Sequence, residues 1–315
     1  MLSPAHGTRI ADRFALGVAG GLTGPVARGV VGQIWRLETD RGSWAVKEWF
    51  EPPAVEELAE GVAFQEAAAA AGIPSPSTGR APDGAWLADL DGTAVRVQGW
   101  VDLRDRDPMA DPEAVGRLVG MLHQVPFEGR EPIDTWYTDP IGADGWDALI
   151  DELDAGRAPF ADRLRSLRDD LVALDALIVP PTDVRTCHRD LWADNLRVTT
   201  TGELCLIDWE DCGLADPSKE LALVLWEFGR TDPGRARMLH AAYADAGGPG
   251  RVRSSSDFSM VIAQLGHIGA RACGDWLQAE DSPDDRAFAE AWFAEFSEDP
   301  FTLDHVAMLL DALAA

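Results

Sequence analysis

The run Cys187-His188-Arg189-Asp190-Leu191-Trp192-Ala193-Asp194-Asn195 is followed, thirteen residues after its asparagine, by an aspartate ending an apolar run, Leu206-Ile207-Asp208-Trp209-Glu210. An aspartate, an asparagine five positions on and a second aspartate supply what metal-assisted phosphoryl transfer needs. One carboxylate, Asp190, can orient and deprotonate an attacking hydroxyl, while the amide oxygen of Asn195 and the carboxylate of Asp208 can hold magnesium against nucleotide phosphates. The two ligands flank a short β element: Asn195-Leu196-Arg197-Val198, a turn at Thr201-Gly202, then Leu204-Cys205-Leu206-Ile207. Antiparallel pairing brings the ends of such a hairpin together, so residues thirteen apart can share one ion. The competing role for Asp190 is that of a buried carboxylate capping a loop.

Upstream, residues 13 to 49 read as a β-meander. A glycine-rich stretch from Gly17 to Gly32 leads into the alternation Ile34-Trp35-Arg36-Leu37-Glu38, a hairpin turn at Asp40-Arg41-Gly42, and Trp44-Ala45-Val46-Lys47. After Pro52-Pro53, residues 54 to 71 are rich in Ala, Glu and Leu and stop at Gly72-Ile73-Pro74-Ser75-Pro76, which predicts a helix ended by glycine and proline. Two strands follow, Trp86 to Leu90 and Ala94 to Gln98, joined at Asp91-Gly92. Beyond Trp100-Val101-Asp102-Leu103 the pattern turns helical, over roughly 111–124, 144–155, 160–178, 217–229, 233–246, 257–279, 284–297 and 302–314.

A chain of 315 residues with 46% hydrophobic content can fill a substantial core. The sequence Met1-Leu2-Ser3-Pro4-Ala5-His6 is not a basic segment followed by an apolar one, and no apolar run nears the length that crosses a bilayer, so a cytoplasmic, soluble protein is expected. Twenty-seven Lys and Arg against 54 Asp and Glu give a formal charge of −27. That charge repels nucleic acid and anionic membranes, so neither is an expected partner; it can steer a cationic substrate or simply keep the surface solvated. Cys187, Cys205, Cys212 and Cys273 form no CxxC pair and read as free thiols; Cys187 beside the motif is a catalytic candidate or an apolar filler of a buried strand.

An N-terminal sheet with one helix, a connector, and a helical part carrying Asp190, Asn195 and Asp208 resembles the protein-kinase-like fold. Within it, HRDLWADN followed by LIDWEDCGLADPSKELA is similar to the aminoglycoside phosphotransferase and small-molecule kinase family. The tail Gly213-Leu214-Ala215-Asp216-Pro217 has Ala215 where that family usually has glycine, and Arg189 stands where its antibiotic kinases often have glycine. The resemblance spans nearly the whole chain and implies an α+β, bilobal architecture. Its parts would be a nucleotide-binding lobe over 1–97, a hinge over 98–103 and a catalytic, substrate-binding helical lobe over 104–315. It further implies Asp190 as catalytic carboxylate, Asn195 and Asp208 as magnesium ligands, and Lys47 as the cation on the α- and β-phosphates of ATP, with GTP as the other nucleotide open.

An inward lysine needs a counter-charge. The fold would supply it from a glutamate on the following helix, where Glu57 and Glu60 share a face and Glu66 lies on another; Glu60 is the favoured partner. The glycine stretch, with Gly29 and Gly32, sits where a phosphate-covering loop belongs, although a plain flexible turn explains it as well. It is no GxGxxG, and no GxxxxGK[ST] occurs, which excludes a P-loop enzyme on that motif. Gln98-Gly99-Trp100-Val101 marks the connector, expected to meet adenine through backbone groups. There is no Asp-Phe-Gly and no Ala-Pro-Glu, against a protein kinase. Asp216 is expected to accept backbone amides of the catalytic loop, and His188 to anchor that loop by packing.

The acceptor is expected between that loop and the C-terminal helices. Asp275, Glu280, Asp281, Asp284, Asp285, Glu290, Glu295, Glu298 and Asp299 offer carboxylates there, or a solvated helix face. Trp276, Trp292 and Phe293 offer aromatic faces, or core. The resulting expectation is an ATP- and magnesium-dependent O-phosphotransferase acting on a small, cationic hydroxyl compound, an aminoglycoside-like antibiotic first, with antibiotic resistance the implied role. A metabolic kinase for an amino alcohol, amino acid or sugar is the alternative, and a nucleotide-binding pseudoenzyme the third reading.

Overall fold

The computed structural model describes residues 1–29, 31–51, 53–130, 132–279 and 282–314, without the Glu57 side chain. Val30, Pro52, Glu280 and Asp281, which figure in the sequence reading, lie outside the described residues, as does the Glu57 carboxylate. In chain order the elements are α1 (Gly7–Arg13), β1 (Ala19–Arg28), β2 (Gly32–Thr39), β3 (Gly42–Trp49), α2 (Val55–Ala70), β4 (Leu87–Leu90), β5 (Thr93–Gly99), α3 (Pro112–Leu122), α4 (Gly142–Gly156) and α5 (Ala161–Asp175). Then come β6 (Arg185–Cys187), β7 (Leu196–Val198), β8 (Leu204–Leu206), β9 (Gly213–Ala215), α6 (Pro217–Gly229), α7 (Pro233–Asp245), α8 (Ser259–Gln278), α9 (Pro283–Glu298) and α10 (Leu303–Ala314). The expected mix of sheet and helix, α+β, is what forms. Helix α1 and the pair β6–β9 are the additions, and β1 runs through much of the glycine-rich stretch.

The chain divides into two compact units. The first holds Met1–Asp107, Val125–Phe127 and Asp194–Cys212, and the second holds Pro108–Gln124, Glu128–Ala193 and Gly213–Ala315. The hairpin of β7 and β8 therefore belongs with the N-terminal sheet, not with the 104–315 segment expected to carry it. The reason lies in its backbone: the amide of Arg104 donates to Val198, Thr200 to Asp102 and Leu206 to Pro74, each at 2.8–2.9 Å.

In the first unit five antiparallel strands lie in the order β1-β2-β3-β5-β4. Alternation sorts their side chains onto two faces. Leu22, Trp35, Leu37, Val46, Val95 and Val97 join Ile10, Phe14 and Leu16 in one buried core. The other face carries Arg36, Lys47, Arg96 and Gln98, because Ile34 pairs with Lys47, Lys47 with Arg96, and Ala45 with Gln98 across the strands. Helix α2 meets this polar side: Gln65 accepts from Arg96, and a Cβ on Gly61 would stand 2.2 Å from the Trp209 carbonyl oxygen.

In the second unit α6 is the central helix, buried along nearly its whole length from Pro217 to Gly229. A second core gathers Trp146, Leu153, Leu164, Ala272, Cys273, Trp276, Phe293 and Phe296 from α4, α5, α8 and α9. Among the described residues no helix is long and apolar enough to cross a membrane. Helices α3 and α7 approach at backbone distance: Cβ atoms on Gly116 and Gly120 would meet the carbonyl oxygens of Leu239 at 2.1 Å and Tyr243 at 2.6 Å. Carbonyls of a packed helix cannot yield as a side chain can. Gly116→Ala is expected to destabilise the protein by about 1–3 kcal/mol, read as a lowered midpoint in urea with an unchanged slope.

Candidate active site

Hairpin pairing sets Leu196 against Leu206, and the amide of Ile207 donates to the Asn195 carbonyl at 2.9 Å. Asn195 and Asp208 thus sit at one end of the ribbon, and both side chains present hard oxygens. Asp208 takes a left-handed backbone, φ +56°, uncommon for a residue with a Cβ and frequent at functional positions. Its carboxylate is 42% exposed, so a ligand can reach it.

Lys47 extends from β3 to this loop. Its Nζ lies 2.5 Å from Glu210 Oε2 and 3.5 Å from Asp208 Oδ1. Burial works against the ammonium, yet Asp208 and Glu210 outweigh it and raise the Lys47 pKa. The partner is consequently Glu210, not the expected Glu60: the carboxylates two apart in Asp208-Trp209-Glu210 both reach the ammonium, one directly and one at longer range. Glu66, the third helix candidate, is instead clamped by Arg80 at 2.8 Å. Glu210 is itself mostly buried, and burial and Asp208 push its pKa up to about 6 against the pull of Lys47 and Arg96.

Asp190 belongs to the second unit, on the loop after β6, and is half-buried. The loop is fixed through its backbone. The Arg189 amide donates to Glu220 of α6, and Gln264 Nε2 of α8 donates to the Arg189 carbonyl at 2.7 Å. One heptad further along α6, Glu227 Oε1 accepts from the Ala193 amide at 3.2 Å while its other oxygen meets Arg230 at 3.1 Å. Glu220 is held in turn by His123 Nε2 at 2.6 Å, and His123 Nδ1 faces the Tyr243 hydroxyl at 2.8 Å. Arg189 has φ +66°, and its guanidinium stacks 4.4 Å from the Tyr137 ring centroid. His188 is fully buried, and all four cysteines are buried thiols outside any disulfide.

Asp216 serves a different segment from the one expected. Its carboxylate accepts from the amides of Thr182 and Asp183, the Thr182 hydroxyl, and Ser218 at the start of α6. Glu220, one turn on, takes the Arg189 amide of the loop bearing Asp190, and Glu227 that of Ala193. Glu220 and Glu227 were open to detection in the sequence as two acidic residues seven apart in an otherwise apolar helix, Leu221-Ala222-Leu223-Val224-Leu225-Trp226 between them.

Of the glycines expected over phosphate, Gly29 donates to the Gly32 carbonyl at 2.9 Å, and a Cβ on Gly32 would strike the Glu48 carbonyl oxygen at 2.4 Å. Gly32 therefore has a packing reason of its own. In the connector, the amides of Gly99 and Trp100 are committed to Ser77 and Ser43 at 2.9 and 3.0 Å, Gln98 Nε2 bonds Gln65, and Trp100 Nε1 bonds Asp102. Trp276 and Phe293 are core, Trp292 packs against that core, and Asp284, Asp285, Glu295, Glu298 and Asp299 are exposed to solvent. The aromatic pair near the catalytic loop is one the sequence did not disclose. Trp136 and His267 stack at 5.1 Å, with His267 one turn along α8 from the Gln264 that holds the loop.

Solved structures share this architecture. A spectinomycin phosphotransferase, crystallised with ADP and spectinomycin, matches over 99% of this chain and 98% of its own, with a TM-score of 0.69 at 13% identity. An aminoglycoside phosphotransferase from Alicyclobacillus acidocaldarius matches over 91% and 92%, with a TM-score of 0.57 at 17% identity. Choline kinase from Streptococcus pneumoniae matches over 97% and 96%, with a TM-score of 0.53 at 18% identity. No curated protein sequence gives a match. The fold is the protein-kinase-like one. Residues 24–254 match the model of the phosphotransferase enzyme family, and the chain belongs to that family. It is a phosphotransferase with an alcohol group as acceptor.

The Asp216 carboxyl ties the 182–183 segment to the start of α6. Burial opposes its charge, but the amides of Thr182, Ser218 and Asp183 outweigh burial and hold its pKa below the ordinary value. A depressed carboxyl stabilises the fold above its unfolded pKa and loses that contribution as pH falls through the folded one. Asp216→Asn is expected to cost about 1–2 kcal/mol at neutral pH, with the gap to wild type closing below about pH 4 in chemical denaturation.

Proposed function

We propose that this protein transfers the γ-phosphate of ATP to a hydroxyl of a small, cationic molecule, an aminoglycoside-like antibiotic before other acceptors. The observation that carries the reading is the pairing of two hard-oxygen side chains, Asn195 and Asp208, at one hairpin end beside the half-buried Lys47 ammonium. That donor set suits magnesium, whose chemistry there is to neutralise charge on the phosphate oxygens. Lys47 would hold the α- and β-phosphates, exchanging Glu210 for them. Asp190, its loop fixed by Glu220 and Glu227, would align the acceptor hydroxyl and take its proton late in the transfer. The formal charge of −27 would favour a cationic acceptor over an anionic one.

A metabolic kinase for an amino alcohol is the second reading, and the Trp136–His267 pair near the loop favours it, since an aromatic face holds a small ammonium group well. The pseudoenzyme reading loses ground because Lys47, Asp190, Asn195 and Asp208 are all in place.

ATP consumption, followed through ADP with magnesium and a panel of aminoglycosides, other cationic antibiotics, amino alcohols, sugars and hydroxy amino acids, tests both. Stimulation by an aminoglycoside supports the first reading, and stimulation by an amino alcohol alone the second. With the active acceptor, Asp190→Ala is expected to lower kcat roughly 10³-fold while sparing nucleotide affinity. Asp208→Ala is expected to abolish the magnesium dependence of nucleotide binding in calorimetry. Normal turnover in the Asp190→Ala protein sinks the mechanism.

A further inference from the structure

Arg96 stands directly across the strands from Lys47, on the same face of the sheet, and is 3% exposed. A guanidinium so placed carries a permanent charge with almost no water to stabilise it. Among the described residues its side chain hydrogen-bonds a neutral group, Gln65 Oε1 at 2.5 Å, and its Nε has no hydrogen-bond partner. The opposite charges that act on it most strongly are Glu210 and Asp208. Two cations, Lys47 and Arg96, thus face two carboxylates, Asp208 and Glu210, with Glu66 acting more weakly on Arg96.

That balance shifts when the site is loaded. Once Asp208 serves a divalent ion and Lys47 serves phosphate, Glu210 has lost its 2.5 Å partner while remaining buried. An ionised buried carboxylate deprived of its counter-charge is strongly unfavourable. Arg96 is the remaining cation of the cluster, already ordered by Gln65 and next to the position Lys47 vacates. We propose that Arg96 is the standing counter-charge of Glu210, a positioning residue that lets Lys47 leave the carboxylate for the nucleotide. The inference rests on the phosphotransferase reading of the Lys47–Asp208 site. It gives a reason for a buried arginine in the alternation Ala94-Val95-Arg96-Val97-Gln98, where a solvent-facing residue would be ordinary.

The test needs no acceptor. Dissociation constants for AMP-PNP with magnesium are measured by calorimetry on the full chain for wild type, Arg96→Met, Arg96→Lys, Glu210→Gln and the Arg96→Met/Glu210→Gln double variant. Arg96→Met is expected to weaken binding about tenfold or more, and Arg96→Lys, which keeps the charge, by no more than about threefold. In the Glu210→Gln background, where no charge is left to compensate, Arg96→Met should cost no more than about threefold relative to that background. Melting without nucleotide checks that each variant is folded, and Arg96→Gln replaces Arg96→Met if the latter is not. Wild-type affinity in folded Arg96→Met, or an equal loss in both backgrounds, overturns the inference while leaving the phosphotransferase reading intact. A wild-type protein that does not bind AMP-PNP with magnesium overturns both.

Discussion

A carboxylate taken out of water must be met by donors or cations, and this requirement organises both units. In the second unit Asp216, Glu220 and Glu227 line up along one side of α6 and spend their oxygens on backbone amides of Thr182, Asp183, Arg189 and Ala193. Helix α6 is buried along nearly its whole length, so its acidic groups cannot turn to solvent. The loop bearing Asp190 satisfies two of them, Glu220 and Glu227. Loop and helix therefore form one object, with the precision that alignment of a hydroxyl demands.

In the first unit the same requirement gives a different result. Lys47, Arg96, Asp208 and Glu210 neutralise one another, but the arrangement is less committed: Asp208 is open to solvent and Lys47 divides itself between two acids. Charges held in reserve can be reassigned when a ligand brings its own. Asp190 thus sits on a loop whose backbone is pinned, while the pairing around Lys47 is exchangeable.

The sequence disclosed the local part of this and missed the part set by long-range contact. Every strand with clear alternation and a turn signal was legible, as were the helices stopped by glycine or proline, to within a few residues. The β7–β8 hairpin was legible because a single turn, Thr201-Gly202, fixes its register. Other features were not. Helix α1 is short and begins at Gly7 with few periodic residues, so it offered no repeat to read. The partner of Lys47 lies 163 positions away on Glu210, and nothing in the spacing of Glu57, Glu60 and Glu66 could reveal that a later acid reaches the ammonium first. Arg96 and the Trp136–His267 stack acquire meaning only through neighbours across a strand or a helix, and tryptophans such as Trp276 that seemed available are consumed by the core.

The backbone at Arg189 has a consequence for how such a loop can change. At φ +66° this residue occupies a conformation that glycine adopts freely and a side chain only at some cost, of order 1 kcal/mol. Here the side chain returns that cost by stacking on Tyr137 and filling the space beside β9, where a Cβ on Gly213 would sit 2.6 Å from the Arg189 guanidinium carbon. Exchange between arginine and glycine at 189 therefore leaves the chain path to Asp190 as it is and alters only what supports it. The two positions are coupled in space: a side chain at 213 would push on the far end of Arg189, so growth there is met by moving the guanidinium off Tyr137 and not by moving the backbone that leads to Asp190.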